Sequence, residues 1–249
     1  MSAEHRDRTT LLCVPFAGAG ASFFYPWRTL SADQWRLVPV ELPGRERRLM
    51  DDPFSTVVET AEDLIDDVAA AAGAADRTVL FGHSLGAVLA YELVHLLTGR
   101  GVRVERLVVS GSPGPWTQRE LRATGLPDEE FLARIEEFSG FKHEALEHPE
   151  MRELILPVLR ADCEMHEDYV PSTDEPVSVP ITSIRGSSDA LVTVDQAKQW
   201  RRATTGEFVY SELPGDHMYL VDRARELLDL IEADTARDRV ARRRVASEP

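Results

Sequence analysis

The chain has almost no cysteine: Cys13 and Cys163 are the only two in 249 residues. Two thiols build neither a disulfide framework nor a metal cluster, and Cys13, inside the apolar run 11–14, reads as a small core residue. Long hydrophobic runs are missing as well. Nothing approaches the roughly 18 apolar residues that cross a bilayer, and the polar stretch 1–10 lacks the apolar core of a secretory signal. A cytoplasmic protein without membrane contact is expected. Basic charge is in deficit: 28 Lys and Arg against 43 Asp and Glu leave a net charge of −15, which argues against nucleic acid as a partner. Internal repeats and low-complexity linkers are absent too, so residues 1–249 are read as a single domain, of a size that one α/β unit accommodates.

What the sequence does hold is a recurring unit of short apolar run, turn and amphipathic stretch. The runs lie at 11–14, 37–40, 79–81, 107–109, 181–184 and 208–210. Brief β-branched runs bounded by Gly and Pro predict strands buried on both faces. Helix-like segments follow at 56–72, 85–97, 194–203 and 220–233, and 85–97 is apolar round most of its circumference, as in a helix packed inside. The alternation predicts an α/β fold, a mostly parallel twisted sheet with helices on both faces.

One segment breaks the pattern. From about 113 to 178 there is no strand signal, only helical stretches at 128–138 and 149–169. The first aligns Phe131, Leu132, Ile135 and Phe138 on one stripe and puts Asp128, Glu129 and Glu130 in its first turn, where the helix dipole favours acids. Such an insertion on the carboxyl side of a parallel sheet is read as a lid over a site; a rigid helical extension is the plainer alternative. A flexible tail is expected from about 235.

The chemistry centres on Gly82-His83-Ser84-Leu85-Gly86, which matches the nucleophile-elbow pattern G-x-S-x-G. The pattern alone is weak, but here a strand precedes it and a helix follows it, the setting in which a serine is held in a strained turn with small neighbours. Serine needs a base and an orienting acid to attack at neutral pH. In this arrangement both follow the serine in the chain, each past the carboxyl end of a strand. Asp189 lies just past the run 181–184, and His217 just past 208–210. Among the other histidines, His5 is in the N-terminal stretch, His83 in the elbow, His95 on a packed helix, and His143, His148 and His166 in the insertion. The loop after the preceding strand, Ser110-Gly111-Ser112-Pro113, has no acid, which leaves Asp195 and Asp216 as the competitors of Asp189. Oxyanion stabilisation calls for the backbone N–H of Leu85 and a second donor from Pro15-Phe16-Ala17-Gly18-Ala19-Gly20. That glycine-rich turn has neither a P-loop lysine nor the dinucleotide fingerprint.

These residues resemble the type II, or editing, thioesterases that accompany polyketide synthases and nonribosomal peptide synthetases. The likeness runs from about Leu11 to about Leu230. It rests on the elbow, the loop 15–20, Glu41-Leu42-Pro43-Gly44-Arg45, Leu126-Pro127-Asp128-Glu129-Glu130-Phe131, Leu159-Arg160-Ala161-Asp162, Gly186-Ser187-Ser188-Asp189 and Gly215-Asp216-His217. It implies an α/β-hydrolase fold with a trimmed sheet and a Ser84–His217–Asp189 triad. The oxyanion hole would be formed by the N–H groups of Ala17 and Leu85. The implied substrate is an acyl group on the phosphopantetheine arm of an acyl or peptidyl carrier protein, with no cofactor or metal, and the enzyme is expected to be a monomer. Met218-Tyr219 departs from the aromatic pair that often follows the histidine in this family, a change expected to alter packing near the lid. Three alternatives remain on the same scaffold: a general esterase, lipase or peptidase, a product-releasing thioesterase, and a non-catalytic binding protein. An acidic enzyme meeting an acidic carrier needs a local basic patch. Arg45, Arg47 and Arg48 are the expected docking residues, and the arginine-rich tail is a weaker second choice.

Overall fold

The computed structural model describes residues 9–30, 35–75, 77–118, 121–139, 146 and 148–246. Its strands are β1 (Thr9–Val14), β2 (Trp35–Pro39), β3 (Thr78–His83), β4 (Arg106–Ser110), β5 (Ile181–Gly186) and β6 (Phe208–Leu213). Its helices are α1 (Trp27–Leu30), α2 (Val57–Gly73), α3 (Leu85–Gly99), α4 (Asp128–Ser139), α5 (Pro149–Glu167), α6 (Val194–Lys198) and α7 (Ala224–Ala246). Each of the six apolar runs falls on a strand, with ends shifted by a few residues.

The strands form one sheet in the order β2-β1-β3-β4-β5-β6. Every neighbouring pair is parallel, so the mostly parallel sheet read from the sequence is wholly parallel among the described residues. Side chains alternate across it with the strand period of two. Leu12, Val14, Leu80, Leu107 and Val109 pack with α2 and α3 on one face. Leu11, Cys13, Val79, Phe81 and Val108 pack with Phe24, Trp27 and α7 on the other. Two buried faces explain why the strands are almost unbroken apolar runs. The order reverses between β1 and β3, and their carboxyl ends flank a crevice, the usual ligand position in open α/β sheets.

Two helices differ from the sequence reading. The segment 194–203 is α6 followed by a 3-10 turn, Gln199–Ala203. The last helix, expected from 220, begins at Ala224. Ahead of it the chain turns tightly, with Val221 N–H donating to Met218 O at 3.0 Å, and this turn carries His217. At the other end Asp234 and Thr235 are buried, Thr182 Oγ1 donates to Asp234 Oδ2 at 3.0 Å, and the helix continues to Ala246.

Helices α4 and α5 make up the insertion between β4 and β5. They share a small apolar cluster of Ala123, Phe131, Leu156, Leu159 and Cys163. Arg160 ties them together, its guanidinium lying over the Phe131 ring at 4.2 Å and donating to Asp128 Oδ1 at 2.6 Å. The stem of the insertion is held to α3 through Glu92, which accepts from Tyr169 Oη at 2.6 Å and from Ser172 N–H at 3.1 Å. His5 and His143 lie outside the described residues.

Candidate active site

β3 delivers Ser84 to the sheet's carboxyl edge in a left-handed conformation, φ 54° and ψ −116°, at the N-terminus of α3. A non-glycine residue there stores roughly 1–3 kcal/mol of strain. The surroundings hold it: Ser84 N–H donates to Ser110 O at 2.8 Å, and Ala87 N–H donates to Ser84 O at 3.0 Å. The two elbow glycines are dictated by backbone approach. A Cβ on Gly82 would strike the carbonyl of Gly86, and one on Gly86 would strike the carbonyl oxygens of Val14 and Pro15.

Asp189 and His217 meet from the loops after β5 and β6. His217 Nδ1 lies 2.9 Å from Asp189 Oδ2, and both side chains are buried. The other carboxylate oxygen, Oδ1, accepts from the N–H groups of Leu191 at 2.8 Å and Val192 at 3.1 Å. Burial pushes the Asp189 carboxyl up. The hydrogen bond and charge of His217, with the Leu191 and Val192 N–H groups, outweigh this and hold it below the usual carboxylate range. Arg185 braces the same loop, Nη2 donating to Asp189 O and Nε to Val192 O, each at 2.9 Å. The competing acids are elsewhere. Asp195 is exposed in the first turn of α6, and Asp216, also exposed, accepts from Met218 N–H at 2.9 Å.

Beneath His217 lies a buried polar chain that the sequence did not reveal. His83 Nδ1 is 2.8 Å from Ser110 Oγ, which is 2.6 Å from Tyr219 Oη, and the His83 and His217 rings are 4.8 Å apart. Burial pushes the Tyr219 phenol well up, so it stays protonated. In the Met218-Tyr219 pair, Tyr219 thus belongs to the floor under the histidine, while Met218 lines the cavity above it.

That cavity is a chamber of about 1070 Å³. Ser84 and His217 lie at its base, and no hydrogen bond joins the Ser84 hydroxyl to His217 among the described residues. The walls include Leu132 and Ile135 from α4 and Ile155, Val158 and Leu159 from α5. At the base, the N–H groups of Ala17 and Leu85 donate to no protein acceptor among the described residues. First-turn N–H groups such as that of Leu85 lack intrahelical partners and suit an anion.

The three arginines grouped as a docking patch separate. Arg45 is drawn inward, both Nη atoms donating to the Asp162 carboxylate at 2.7 Å, with the Asp162 side chain fully buried. Arg48 is engaged by Asp51 at 2.6 Å and Asp63 at 2.7 Å. Arg47 keeps an 81% exposed side chain, with a long contact of 3.8 Å to Glu41. Neither motif quoted for the likeness, 41–45 or 159–162, shows by itself that Arg45 and Asp162 are partners.

Fold and site together put the chain among the α/β-hydrolases, with the serine at the elbow of a parallel sheet and its two companions on the later strand loops. Comparison with known proteins narrows this. A family model described as thioesterase domain matches residues 9–235. The gramicidin S biosynthesis protein GrsT of Aneurinibacillus migulanus is 31% identical, over 89% of this chain and 86% of its own. The type II thioesterase BorB from the borrelidin biosynthetic cluster has a structure that superimposes with a TM-score of 0.81 at 31% identity, covering 92% of this chain and 93% of that one. YbtT, a type II thioesterase from the yersiniabactin NRPS/PKS biosynthetic pathway, gives a TM-score of 0.85 at 27% identity and covers 96% of each chain. The chain belongs to the thioesterase family, hydrolases that act on thioester bonds.

Proposed function

We propose that this enzyme works in the cytoplasm as a monomer, clearing acyl groups from the phosphopantetheine arm of acyl or peptidyl carrier proteins in polyketide or nonribosomal peptide assembly. The observation that carries the reading is the buried 2.9 Å contact between His217 and Asp189 at the base of the chamber that Ser84 also lines. Ser84 Oγ attacks the thioester carbonyl while His217 Nε2 takes its proton; Asp189 holds Nδ1–H and the tautomer that leaves Nε2 free. The N–H groups of Ala17 and Leu85 receive the oxyanion. Collapse of the tetrahedral adduct breaks the C–S bond, and His217 returns the proton to the departing phosphopantetheine thiolate. A water, deprotonated by His217, then attacks the acyl-serine; the adduct breaks its bond to Ser84 Oγ, which takes the proton back from His217, and the carboxylic acid is released. The apolar walls from α4 and α5 suit the acyl chain, and the pair acts as a lid over it.

The carrier is read as docking beside Arg47. No helix among the described residues is long and apolar enough to cross a membrane. Next to Arg47, Leu49 and Met50 are exposed, and Leu49 lines the chamber. The test runs an acyl-carrier thioester, a small free thioester and the matching oxygen ester in parallel, on wild type and on Arg47→Glu. Preference for both thioesters is expected. The charge reversal is expected to raise KM several-fold for the carrier substrate only, with the difference fading as salt screens the encounter. Faster turnover of the oxygen ester would favour a general esterase instead. Equal losses on carrier and free thioester would remove the docking assignment.

A further inference from the structure

The interaction between Arg45 and Asp162 reaches further than an internal ion pair. Asp162 Oδ2 also accepts from the backbone N–H of Gly18 at 2.7 Å, and Arg45 Nη1 donates to Ala19 O at 2.9 Å. A fully buried carboxylate on α5 and the guanidinium it binds therefore grip the loop after β1 at two adjacent residues, Gly18 and Ala19. Ala17, the residue before Gly18, packs against the apolar cluster shared by α4 and α5. Gly18 has φ +75°, and a Cβ there would lie 2.8 Å from Leu159 Cδ1, so α5 rests directly on this loop. The neighbouring residue, Glu46, braces the loop farther along. Its carboxylate accepts from Ser22 N–H at 3.1 Å and from the Ser22 hydroxyl.

We infer that Arg45 and Asp162 are positioning residues that hold the Ala17 N–H at the point where the oxyanion forms, so that the insertion helix α5 is part of the catalytic frame as well as a wall of the chamber. This rests on the reading of Ala17 as an oxyanion donor given above. An oxyanion donor works through preorganisation, and one such donor is worth roughly 10²–10³ in kcat when removed. The loop carrying Ala17 is glycine-rich, with Gly18 and Gly20 on either side of Ala19, and glycine gives the backbone little stiffness of its own. Rigidity has to come from outside contacts, and the bidentate pair supplies it. Arg45 has a second effect: it neutralises a buried carboxylate close to the place where negative charge develops.

The experiment compares Asp162→Asn, Arg45→Lys and the double variant Arg45→Met/Asp162→Leu with wild type. Rates are normalised to active sites by exhaustive fluorophosphonate titration. For Asp162→Asn, kcat is expected to fall about 10- to 100-fold, part of the value of one donor, with KM within about threefold of wild type. Arg45→Lys keeps the charge and loses the fork, and is expected to recover only part of the loss. Affinity for an acyl trifluoromethyl ketone, whose hemiketal oxyanion uses the same donors, should fall in step with kcat. The double variant replaces a buried ion pair with apolar groups, which is often tolerated for stability, so Tm should recover while kcat stays low. Wild-type kcat per active site in Asp162→Asn or in the double variant would overturn the inference, whatever happens to Tm. Full turnover by Ser84→Ala would instead show that the underlying site reading is wrong.

Discussion

At the residue scale, the site is legible where chemistry and chain position coincide. Ser84 was marked by its glycines, and the reason is visible in the backbone: neither Gly82 nor Gly86 has room for a Cβ. Asp189 and His217 were marked by following the fifth and sixth strands, and they meet at 2.9 Å. In sequence Arg45 reads as part of a basic patch because it sits beside other basic residues, while its partner Asp162 stands 117 positions away. The buried chain from His83 through Ser110 to Tyr219 was equally silent, since each member is an ordinary strand-end or loop residue in sequence. The Asp189 carboxyl supplies a prediction at this scale. Asp189→Asn should cost about 10⁴-fold in kcat, because the wrong imidazole tautomer is then favoured. The pH dependence has a definite sign. A carboxyl with a lowered folded-state pKa stabilises fully above its ordinary value of 3.8, and the contribution is lost as pH falls through the lowered value. The Tm advantage of wild type over Asp189→Asn should therefore persist from pH 8 to about 5 and shrink only below about 4. An advantage that fades between pH 7 and 5 would mean the carboxyl is not held down.

At the element scale, periodicity located the strands and most helices, because burial on two faces leaves an unmistakable apolar run. It placed the ends less well. The helix expected from 220 starts at Ala224 because the turn bearing His217 occupies the intervening residues, and the stretch 194–203 tightens into a 3-10 turn after Lys198. The insertion was recognised by its lack of strands, but its internal division was not foreseen. Pro157 lies inside α5. After it, the helix is fastened by Asp162 to Arg45 and by Glu167, which accepts from Ala123 N–H at 2.7 Å. Before it, Met151 and Leu154 are exposed at the chamber wall. Proline removes one helical hydrogen bond and weakens the connection between the halves. Hydrogen exchange should therefore be faster in α4 and residues 150–156 than in 158–167, and faster there than in the sheet. An acyl ligand in the chamber should slow the first group most. Equal protection across α5, unchanged by ligand, would identify a rigid extension with no gating role.

At the scale of the whole molecule, the wholly parallel sheet with its reversal between β1 and β3 brings four distant stretches to one edge: the loop after β1, the elbow after β3, and the loops after β5 and β6. α4 and α5 line the chamber above them. The sequence disclosed the order of layers because alternation of strand and helix leaves few topologies open. It did not disclose that α5 and the loop after β1 are bonded to each other. The central claim is that Ser84 carries the acyl group between thioester cleavage and hydrolysis. Its most direct test is rapid quenching of the enzyme with an acyl-carrier thioester, followed by peptide mass spectrometry. The claim predicts a mass increase equal to the acyl group on the peptide containing Ser84, absent in Ser84→Ala, whose turnover should drop on the order of 10⁶-fold. Acylation at another residue, or turnover of Ser84→Ala near the wild-type rate, would contradict it.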